Sequence, residues 1–444
     1  MNELRISAHD LSRLEQALLG EREAEQSAVL FASRATRPDG STVLVVRDIE
    51  YPAAAEHLGQ GIDHVQLSPS FVARVAKRAG LESLSLVFVH THPGDLPARF
   101  SVIDDAGEVE LAAFLKRRGH EQLHAALLLT RSGLAARELG TKAQLRVVSV
   151  GSERTVHFAA EGPDADANLF DRQIRAFGED GQRSLESLRV AIVGLGGTGS
   201  LIAQQLVHLG VRNFVLIDPD MVEPANLNRI VGASQKDIGE PKVAVAARYL
   251  RGFRSSVDAQ TCEGDVVHAR VAQKLVGVDV IFGCTDSHGS RSVMQQVAYQ
   301  YFIPMIDMGS TITVRDGEVT GIFGRVQLLA PGLPCLWCSN LLNAEEIRRD
   351  MMTDGERRAD PYIVGARVPA PSVVSLNATV VSLAVTMLLG IVAGAPIPAR
   401  NLLYNARTSM LKPVQGTAQT DCFICSRRGV LGRGDEQALF ARQD

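Results

Sequence analysis

The sequence lacks a dominant charge. Its 444 residues include 46 Lys and Arg against 50 Asp and Glu, which gives a formal net charge of -4. Aromatic residues make up only 5% of the chain, and they are not interleaved with a basic stripe of the kind that nucleic-acid-binding surfaces carry. We therefore expect no nucleic-acid partner. The length suits two large domains or about three smaller ones.

A secretion signal is also missing from the N-terminal residues. Residues 1–5 show neither the charged start nor the apolar run of a signal peptide, so we expect a cytoplasmic protein. The one long uncharged run, residues 378–395, approaches the length of a membrane span. Because Thr379, Ser382 and Thr386 interrupt this run and no aromatic belt flanks it, we expect a buried helix and no membrane partner.

Cysteine is scarce, but four of the six cysteines form two pairs. Cys335-Leu-Trp-Cys338 and Cys422-Phe-Ile-Cys425 have the two-residue spacing that directs both thiolates of a pair at one tetrahedral ion. In a cytoplasmic chain, cysteines are more often metal ligands or reactive thiols than disulfides. A redox role is the alternative for such a pair, but two pairs in one chain favour a shared structural Zn²⁺.

A glycine-rich turn, Gly194-Leu-Gly196-Gly197-Thr-Gly199, follows the apolar run Arg189–Val193. It needs no side chains at its bend, so the backbone can approach a phosphate at a helix N-terminus. Acidic, amide and basic side chains come next along the chain, namely Asp218, Asp220, Asn226, Asn228, Arg229 and Lys242. This set fits a triphosphate whose α-phosphorus accepts a carboxylate, since positive charge must cancel the repulsion between two anions.

Over residues 168–426 the chain resembles the ThiF and ubiquitin-activating family, which adenylates the C-terminal glycine of ubiquitin-like proteins. The resemblance implies ATP and Mg²⁺ as cofactors and a ubiquitin-like or sulfur-carrier protein as partner. It implies that Asp218 holds the ribose, that Asp286 in Cys284-Thr-Asp286 binds Mg²⁺, and that three side chains hold the phosphates: Asn226, Arg229 and Lys242.

The resemblance extends to Leu169-Phe-Asp-Arg172-Gln173, where the family places an arginine that reaches the ATP of a second subunit. Arg172 is therefore expected to act across a homodimer.

The thioester cysteine of ubiquitin-activating enzymes has no counterpart here, because residues 339–421 contain no cysteine. Cys262 is interpreted as a strand exit and Cys284 as buried packing, so neither is assigned chemistry. The acyl adenylate is then expected to pass to a thiol on another protein, such as a ubiquitin-conjugating-like protein, to a sulfur donor, or to an amine.

A second set of ligands lies in the N-terminal part. His90 and His92 follow the apolar run Val87–Val89, and histidines at i and i+2 at a strand end point to the same side. Asp104, or its neighbour Asp105, can complete three ligands and leave one position open for water. Such a site is hydrolytic rather than structural, because the metal lowers the pKa of its water to about 7.

This pattern resembles the JAMM (JAB/MPN) metalloproteases, which cleave after the C-terminal glycine of ubiquitin-like proteins. The resemblance implies a catalytic Zn²⁺ on His90, His92 and Asp104, with Ser101 as the oxyanion donor.

The catalytic base of that family opens a strand motif that Glu25-Gln-Ser-Ala28-Val-Leu30-Phe-Ala32 matches, so Glu25 is the expected base and Glu50 a weaker rival. The spacing from His92 to Ser101 is one residue longer than in the family, so a degenerate site with satisfied loop histidines stays open.

The fold class expected is α/β. A JAB/MPN-like mixed α/β domain is predicted over residues 1–160, with a polar break at 161–166. A Rossmann-like ThiF-type adenylation domain with a mostly parallel sheet and the zinc-binding four-cysteine site is predicted over 165–428, followed by a loose tail over 429–444. The charged segment 344–358 is expected to be a crossover loop or a solvated helix.

The leading hypothesis is a bifunctional enzyme that trims or deconjugates a ubiquitin-like C-terminus and then activates the terminal glycine. One alternative is an adenylyltransferase for a sulfur-carrier or peptide C-terminus without a conjugation cascade. Another is a scaffold that binds ubiquitin-like folds through a degenerate protease site.

Overall fold

The computed structural model describes residues 1–20, 24–62, 64–95, 97–158, 167–360 and 371–443. The chain divides into two compact units. The N-terminal unit consists of Met1–Glu161 together with Gln300–Phe302 and Val430–Ala438, and the C-terminal unit contains the rest. The polar break predicted at 161–166 lies outside the described residues.

The N-terminal unit is a mixed sheet with helices on both faces. Its elements are β1 (Glu3–Ser7), α1 (Ala8–Leu18), β2 (Ser27–Thr36), β3 (Thr42–Glu50), β4 (His57–Gln60), β5 (Val65–Leu67), α2 (Pro69–Leu81), β6 (Ser85–Thr91), α3 (Val102–Arg117), β7 (Ala125–Thr130), β8 (Gly133–Glu138), β9 (Gln144–Val150) and β10 (Arg154–Phe158).

Its main sheet has the order β1-β3-β2-β6-β7-β8-β9-β10, and a parallel β1–β9 pairing closes it on itself. Alternation along β6 distributes side chains between two cores. Val87 and Val89 enter the core under α1, whereas Leu86 and Phe88 enter the core under α2. The same alternation directs His90 to the face that Phe88 occupies.

The C-terminal unit alternates strands and helices before ending in antiparallel strands. Its elements are α4 (Ala167–Ser187), β11 (Arg189–Val193), α5 (Gly197–His208), β12 (Asn213–Ile217), α6 (Lys242–Phe253), β13 (Asp258–Cys262), α7 (Ala269–Ala272), β14 (Val280–Gly283), α8 (His288–Gln300), β15 (Met305–Arg315), β16 (Glu318–Leu329), α9 (Ala344–Met351), α10 (Asp354–Ala359), α11 (Val374–Val392), β17 (Asn401–Asn405) and β18 (Met410–Pro413).

The second sheet has the order β13-β12-β11-β14-β15-β16-β17-β18. The five strands from β13 to β15 pair in parallel and the last three join antiparallel. The predicted strands Arg189–Val193 and Asn213–Ile217 are confirmed. Strand order reverses between β11 and β14, and in open α/β sheets ligands bind at such a point, outside the carboxyl ends of the strands.

The uncharged run of the sequence forms α11. This helix is long and apolar enough to cross a membrane, with a mean hydropathy of 2.0, and 56% of that window is buried. It packs against α5, β15 and β16, which is the environment of a core helix.

A loose tail was predicted over 429–444. In the structure the segment Val430–Ala438 packs into the N-terminal unit. The Ser33 hydroxyl donates to the Gly432 carbonyl over 2.7 Å, and the Gln300 amide donates to the Gly434 carbonyl over 2.7 Å. Because these contacts use backbone carbonyls of the segment, its polar composition gives no sign of them.

Candidate functional site

The glycine-rich turn closes tightly at the end of β11. Gly194 has a φ of +89°, and a Cβ there would lie 2.7 Å from the Cys284 carbonyl oxygen. A Cβ on Gly199 would lie 1.8 Å from the Gly194 carbonyl oxygen. These two glycines are therefore required by close backbone approach, which brings the start of α5 against the ends of β11 and β14.

Asp218, directly after β12, is bound to this turn. Its carboxylate accepts from the Leu195 N–H over 2.5 Å and from the Asp220 N–H over 2.8 Å, and the residue is only 4% exposed. Burial raises the pKa of Asp218, and the nearby Lys242 ammonium opposes that rise. The carboxylate is thus held in one orientation beside the turn.

Two cationic side chains, Lys242 and Arg229, lie close to Asp218 and the glycine-rich turn. The Lys242 ammonium is 2.7 Å from the Asp220 carboxylate and 4.0 Å from that of Asp218. Arg229 lies along the turn, since a Cβ on Gly197 would be 3.2 Å from both Cγ and Cδ of Arg229. The structure therefore gathers four of the predicted nucleotide-binding side chains around the glycine turn.

The amides of this loop have local partners. The Asn226 side-chain oxygen accepts from the Glu223 N–H over 3.1 Å and so caps the start of the short 3-10 helix Pro224–Asn226. The exposed Asn228 accepts from the Arg229 guanidinium over 3.1 Å. Both residues shape the loop that carries Arg229.

Asp286 leaves the neighbouring strand. The Cys284 N–H donates to the Val193 carbonyl over 2.8 Å, so Asp286 emerges beside the glycine turn and is exposed there. Burial raises the pKa of the Cys284 thiol far above its usual range, in line with a packing role. Arg172 is exposed on α4, and its action across a dimer stays a prediction.

The four paired cysteines form one cluster. The Sγ atoms of Cys335 and Cys338 are 3.7 Å apart, those of Cys335 and Cys422 3.6 Å, and those of Cys338 and Cys425 3.6 Å. Four thiolates bound tetrahedrally at about 2.3 Å from an ion lie about 3.8 Å apart. The cluster therefore has the geometry of a structural zinc site.

Helix α8 supports this cluster. The buried Gln295 accepts from the Leu336 N–H over 3.1 Å, and the Tyr299 hydroxyl donates to the Leu333 carbonyl over 2.8 Å. Each cysteine pair and the two residues between them form one knuckle of the cluster. The Trp337 ring of the first knuckle lies 5.6 Å from the Phe423 ring of the second, so the two knuckles also share an aromatic contact.

In the N-terminal unit, His90, His92 and Asp104 form a second cluster whose donor atoms lie within 4.8 Å of one another. Asp104 Oδ1 is 3.1 Å from His90 Nε2, and Asp104 Oδ2 is 3.3 Å from His92 Nε2. His90 Nε2 is buried and faces the Asp104 carboxylate. The donor set therefore fits a divalent ion such as zinc.

The electrostatics suit ligands in their metal-binding forms. Burial alone would raise the pKa of Asp104, but contact with His90 and the hydrogen bonds from Ser101 hold it well below its usual range. Burial, followed by the charge of His90, lowers the pKa of His92. An ionised carboxylate and a neutral imidazole are the forms that bind metal ions.

The structure separates the rival residues. Glu25 is buried and its Oε1 lies 3.6 Å from His92 Nε2, whereas Glu50 is paired with Arg74 over 2.9 Å. Asp105 contacts Arg137 and Lys142 instead of the histidines. Glu25 and Asp104 are thus the carboxylates of the cluster.

Ser101 caps α3 at its N-terminus. Its hydroxyl accepts from the Asp104 N–H over 3.2 Å, and the Asp104 carboxylate accepts from the Ser101 N–H over 2.6 Å. These reciprocal bonds fix the backbone that carries the third ligand.

The sequence did not predict the Arg137 clamp beside this cluster, in which one guanidinium contacts both Phe100 and Glu108. The Arg137 guanidinium lies 3.9 Å from the centroid of the Phe100 ring and donates to the buried Glu108 over 3.0 Å. Phe100 is the last residue of the loop between His92 and Ser101, and its ring centroid is 5.9 Å from that of His90. Glu108 follows Asp104 by one helical turn, and this i, i+4 spacing is the only signal in the sequence.

A cavity of about 410 Å³ opens on the cluster. Among its lining residues are Glu25, His64, His90, Asp104, Glu108 and Glu110. His90, Asp104 and the buried Glu25 therefore border this cavity.

The open α/β sheet, with a glycine-rich turn at the point where its strand order reverses, defines the class of protein. The ThiF family model matches residues 170–423, and the chain belongs to this family. It is 30% identical over 272 residues to the SAMP-activating enzyme E1 of Haloferax volcanii, covering 60% of this chain and 92% of that protein. It is 28% identical to the molybdopterin-synthase adenylyltransferase of Escherichia coli, covering 60% of this chain and all of that protein.

A crystal structure of E. coli MccB with ATP aligns with a TM-score of 0.47 and 17% identity over 59% of this chain and 75% of that one.

Proposed function

We propose that this chain is an ATP-dependent adenylyltransferase that activates the C-terminal glycine of a ubiquitin-like or sulfur-carrier protein. The observation that supports this best is the arrangement of Asp218, Lys242 and Arg229 around a glycine turn at the switch point of the sheet. Both curated relatives described above are named for activation or adenylation.

ATP with Mg²⁺ supplies the electrophilic α-phosphorus and a pyrophosphate leaving group. In this proposal Lys242 and Arg229 offset the charge of the phosphates as the carboxylate approaches, and Asp218 fixes the ribose. Asp286, in the segment that follows β14, is proposed to bind Mg²⁺. Arg172 is proposed to complete the site of a second copy in a homodimer.

A second activity is proposed for the N-terminal unit, namely zinc-dependent hydrolysis at the same C-terminus. The cluster of His90, His92 and Asp104, with Glu25 beside it, supports this proposal. A bound Zn²⁺ would lower the pKa of its water to about 7. Glu25 would then take a proton from that water, and Ser101 is proposed as the oxyanion donor.

Combining the two activities would raise the effective concentration of a shared substrate, because the trimmed product is released by the same chain that carries the activating site. No cysteine lies between residues 339 and 421, so we propose transfer of the acyl adenylate to a thiol, sulfur donor or amine outside this chain. The alternative without hydrolysis, activation of a sulfur-carrier or peptide C-terminus alone, needs only the C-terminal unit.

The deciding experiment is pyrophosphate exchange into ATP with a ubiquitin-like partner that either ends in glycine or carries a C-terminal extension. Wild type should exchange with both forms, and Glu25→Ala only with the trimmed form. Glu50→Ala is the matched control and should behave as wild type. If wild type exchanged only with the trimmed form, the proposed adenylation would stand and the proposed trimming activity would be contradicted.

The metal content separates the same alternatives. We expect two zinc ions per chain in the wild type and one in His90→Ala, since the four cysteines form a separate cluster. Trp337 is the single tryptophan of the chain and lies inside a knuckle, so chelating the zinc of the four-cysteine cluster should change its emission. One ion per chain in the wild type would contradict the hydrolytic proposal.

A further inference from the structure

Helix α11 carries a buried carboxamide in its first turns. Asn377 is 2% exposed although the helix around it is apolar. Its Oδ1 accepts from the Ser310 hydroxyl over 3.1 Å, and its Nδ2 donates to the Ser372 hydroxyl over 3.1 Å. Burying a carboxamide is costly unless it is hydrogen-bonded, and these partners fix its orientation.

This amide lies against the glycine-rich turn. A Cβ on Gly197 would be only 2.5 Å from Asn377 Nδ2. Gly197 is the first residue of α5, and Cα–Cβ bonds tilt towards the N-terminus of a helix. The Asn377 Nδ2 atom therefore lies beside the N-terminal end of α5. The N–H groups at such an end carry the partial positive charge that holds phosphates.

Arg229 flanks the same glycine. Its Cγ and Cδ would each be 3.2 Å from that Cβ, so Gly197 lies close to both the arginine stem and the Asn377 amide. Any side chain at Gly197 would displace one of the two. Because Gly197 has no side chain, the Asn377 amide can come close to the backbone there, and so can a phosphate.

We propose that Asn377 is a positioning residue for adenylation, which holds the first turn of α5 and Arg229 in place for the α-phosphate of ATP. The proposal rests on the adenylation part of the proposed function. Ser310 fixes the amide from β15 and Ser372 fixes it from the chain before α11. Loss of the amide should therefore change how nucleotide is held, and should change the binding of the acyl partner much less.

Three variants test this. Asn377→Ala removes the amide, and Asn377→Asp keeps its shape but puts a negative charge beside the phosphates. Ser382→Ala is the matched control, because Ser382 accepts from Gln205 and so links α11 to α5 away from the turn. ATP affinity is measured without any acyl partner, and KM and kcat are then measured in pyrophosphate exchange, with melting temperatures for all proteins.

We expect Asn377→Ala to weaken ATP binding about ten-fold, the loss of about one hydrogen bond. Asn377→Asp should weaken it further, while KM for the acyl partner stays near wild type and Ser382→Ala changes neither. Equal ATP affinity in wild type and both Asn377 variants, or equal losses in Ala and Asp that follow the melting temperature, would overturn the proposal. Wild type that binds ATP but exchanges with no partner would count against the proposed function, and the affinity comparison would still decide the role of Asn377.

Discussion

Single side chains at the carboxyl edge of the second sheet hold one another before any ligand binds. The Lys242 ammonium lies between the Asp218 and Asp220 carboxylates, so its position is set by two anions. An ammonium held in this way approaches a phosphate without first being ordered, which lowers the entropy cost of binding.

We therefore predict that Lys242→Ala reduces pyrophosphate exchange by about 100-fold or more, the usual cost of removing one electrostatic donor at a transition state. The exposed Lys236, in the loop before α6, gives the control Lys236→Ala, which should retain exchange. Equal losses in both variants would indicate a general charge effect instead.

A buried histidine makes the stability of the N-terminal unit depend on pH. Burial, followed by the charges of His120 and Arg34, lowers the pKa of His124 from 6.5 to about 4. Between pH 6.5 and 4 the unfolded chain then binds a proton that the folded chain does not, so the free energy of unfolding should fall as the pH is lowered. The slope is at most about 1.4 kcal/mol per pH unit.

Denaturant titrations at pH 7.5, 6 and 5 check this slope. His124 Nδ1 accepts from the Leu86 N–H over 2.9 Å, and an asparagine oxygen can take that place. His124→Asn should flatten the slope, and the exposed His9→Asn should leave it as in wild type. A wild-type slope retained in His124→Asn would assign the dependence to another group.

At the scale of elements, α3 is held by ion pairs as well as by apolar packing. Among its described residues only Glu108 and Leu115 are buried, and Arg137 pairs with Glu108 and Asp105. Since α3 also carries Asp104, the contacts of Arg137 from β8 help to orient this carboxylate of the proposed zinc site.

We predict that Arg137→Met lowers zinc affinity at the histidine cluster about 10-fold to 100-fold, the usual effect of losing a partner behind a ligand. Competition with a chromophoric chelator measures this affinity independently of hydrolysis. The exposed Arg131→Met is the control. Unchanged affinity in Arg137→Met would show that the longer loop is held without the clamp.

At the scale of the whole molecule, the N-terminal unit is assembled from three separate stretches of chain. Val430–Ala438 returns to β2, where Thr36 N–H donates to Asp435 over 2.8 Å. The Tyr301 hydroxyl also donates to Asp435, over 3.0 Å. A chain cut after the first 160 residues therefore lacks part of its own fold.

We predict that a chain ending at Gly429 has a less stable N-terminal unit, because Ser33 and Gln300 lose their buried carbonyl partners at about 1–3 kcal/mol each. Hydrogen exchange at β2 amides is the measurement. A chain ending at Ala438 keeps these contacts and is the control. Equal protection in both chains would contradict the assignment of this segment to the unit.

The sequence predicted the parts that short local patterns encode. Cysteine spacing predicted two pairs of thiols, and the strand-end position of His90 and His92 predicted two side chains on one side, because both patterns depend on neighbours in sequence. Asn377 and Arg137 were missed because their contacts join distant segments. A lone amide at the start of an apolar run was the available signal for Asn377.

The antiparallel half of the second sheet was also not predicted. Strands β16 to β18 follow the parallel strands, and their pairing is set by tertiary contacts. The charged segment 344–358 was expected to be one loop or helix, and it forms the two short helices α9 and α10. Asn343 and Thr353 cap them, so boundaries were set by capping that composition alone did not indicate.

The four-cysteine cluster has a further consequence for how this chain can vary in length. Cys335 and Cys422 are 87 positions apart, so a metal there would tie the two ends of one large loop that contains α11. The entropy of closing a loop grows only with the logarithm of its length, at about 0.6 kcal/mol for each doubling. Additional sequence inserted between Cys338 and Cys422 would therefore add little to the free energy of closing this loop, so the metal tie itself sets no sharp limit on the length of the stretch.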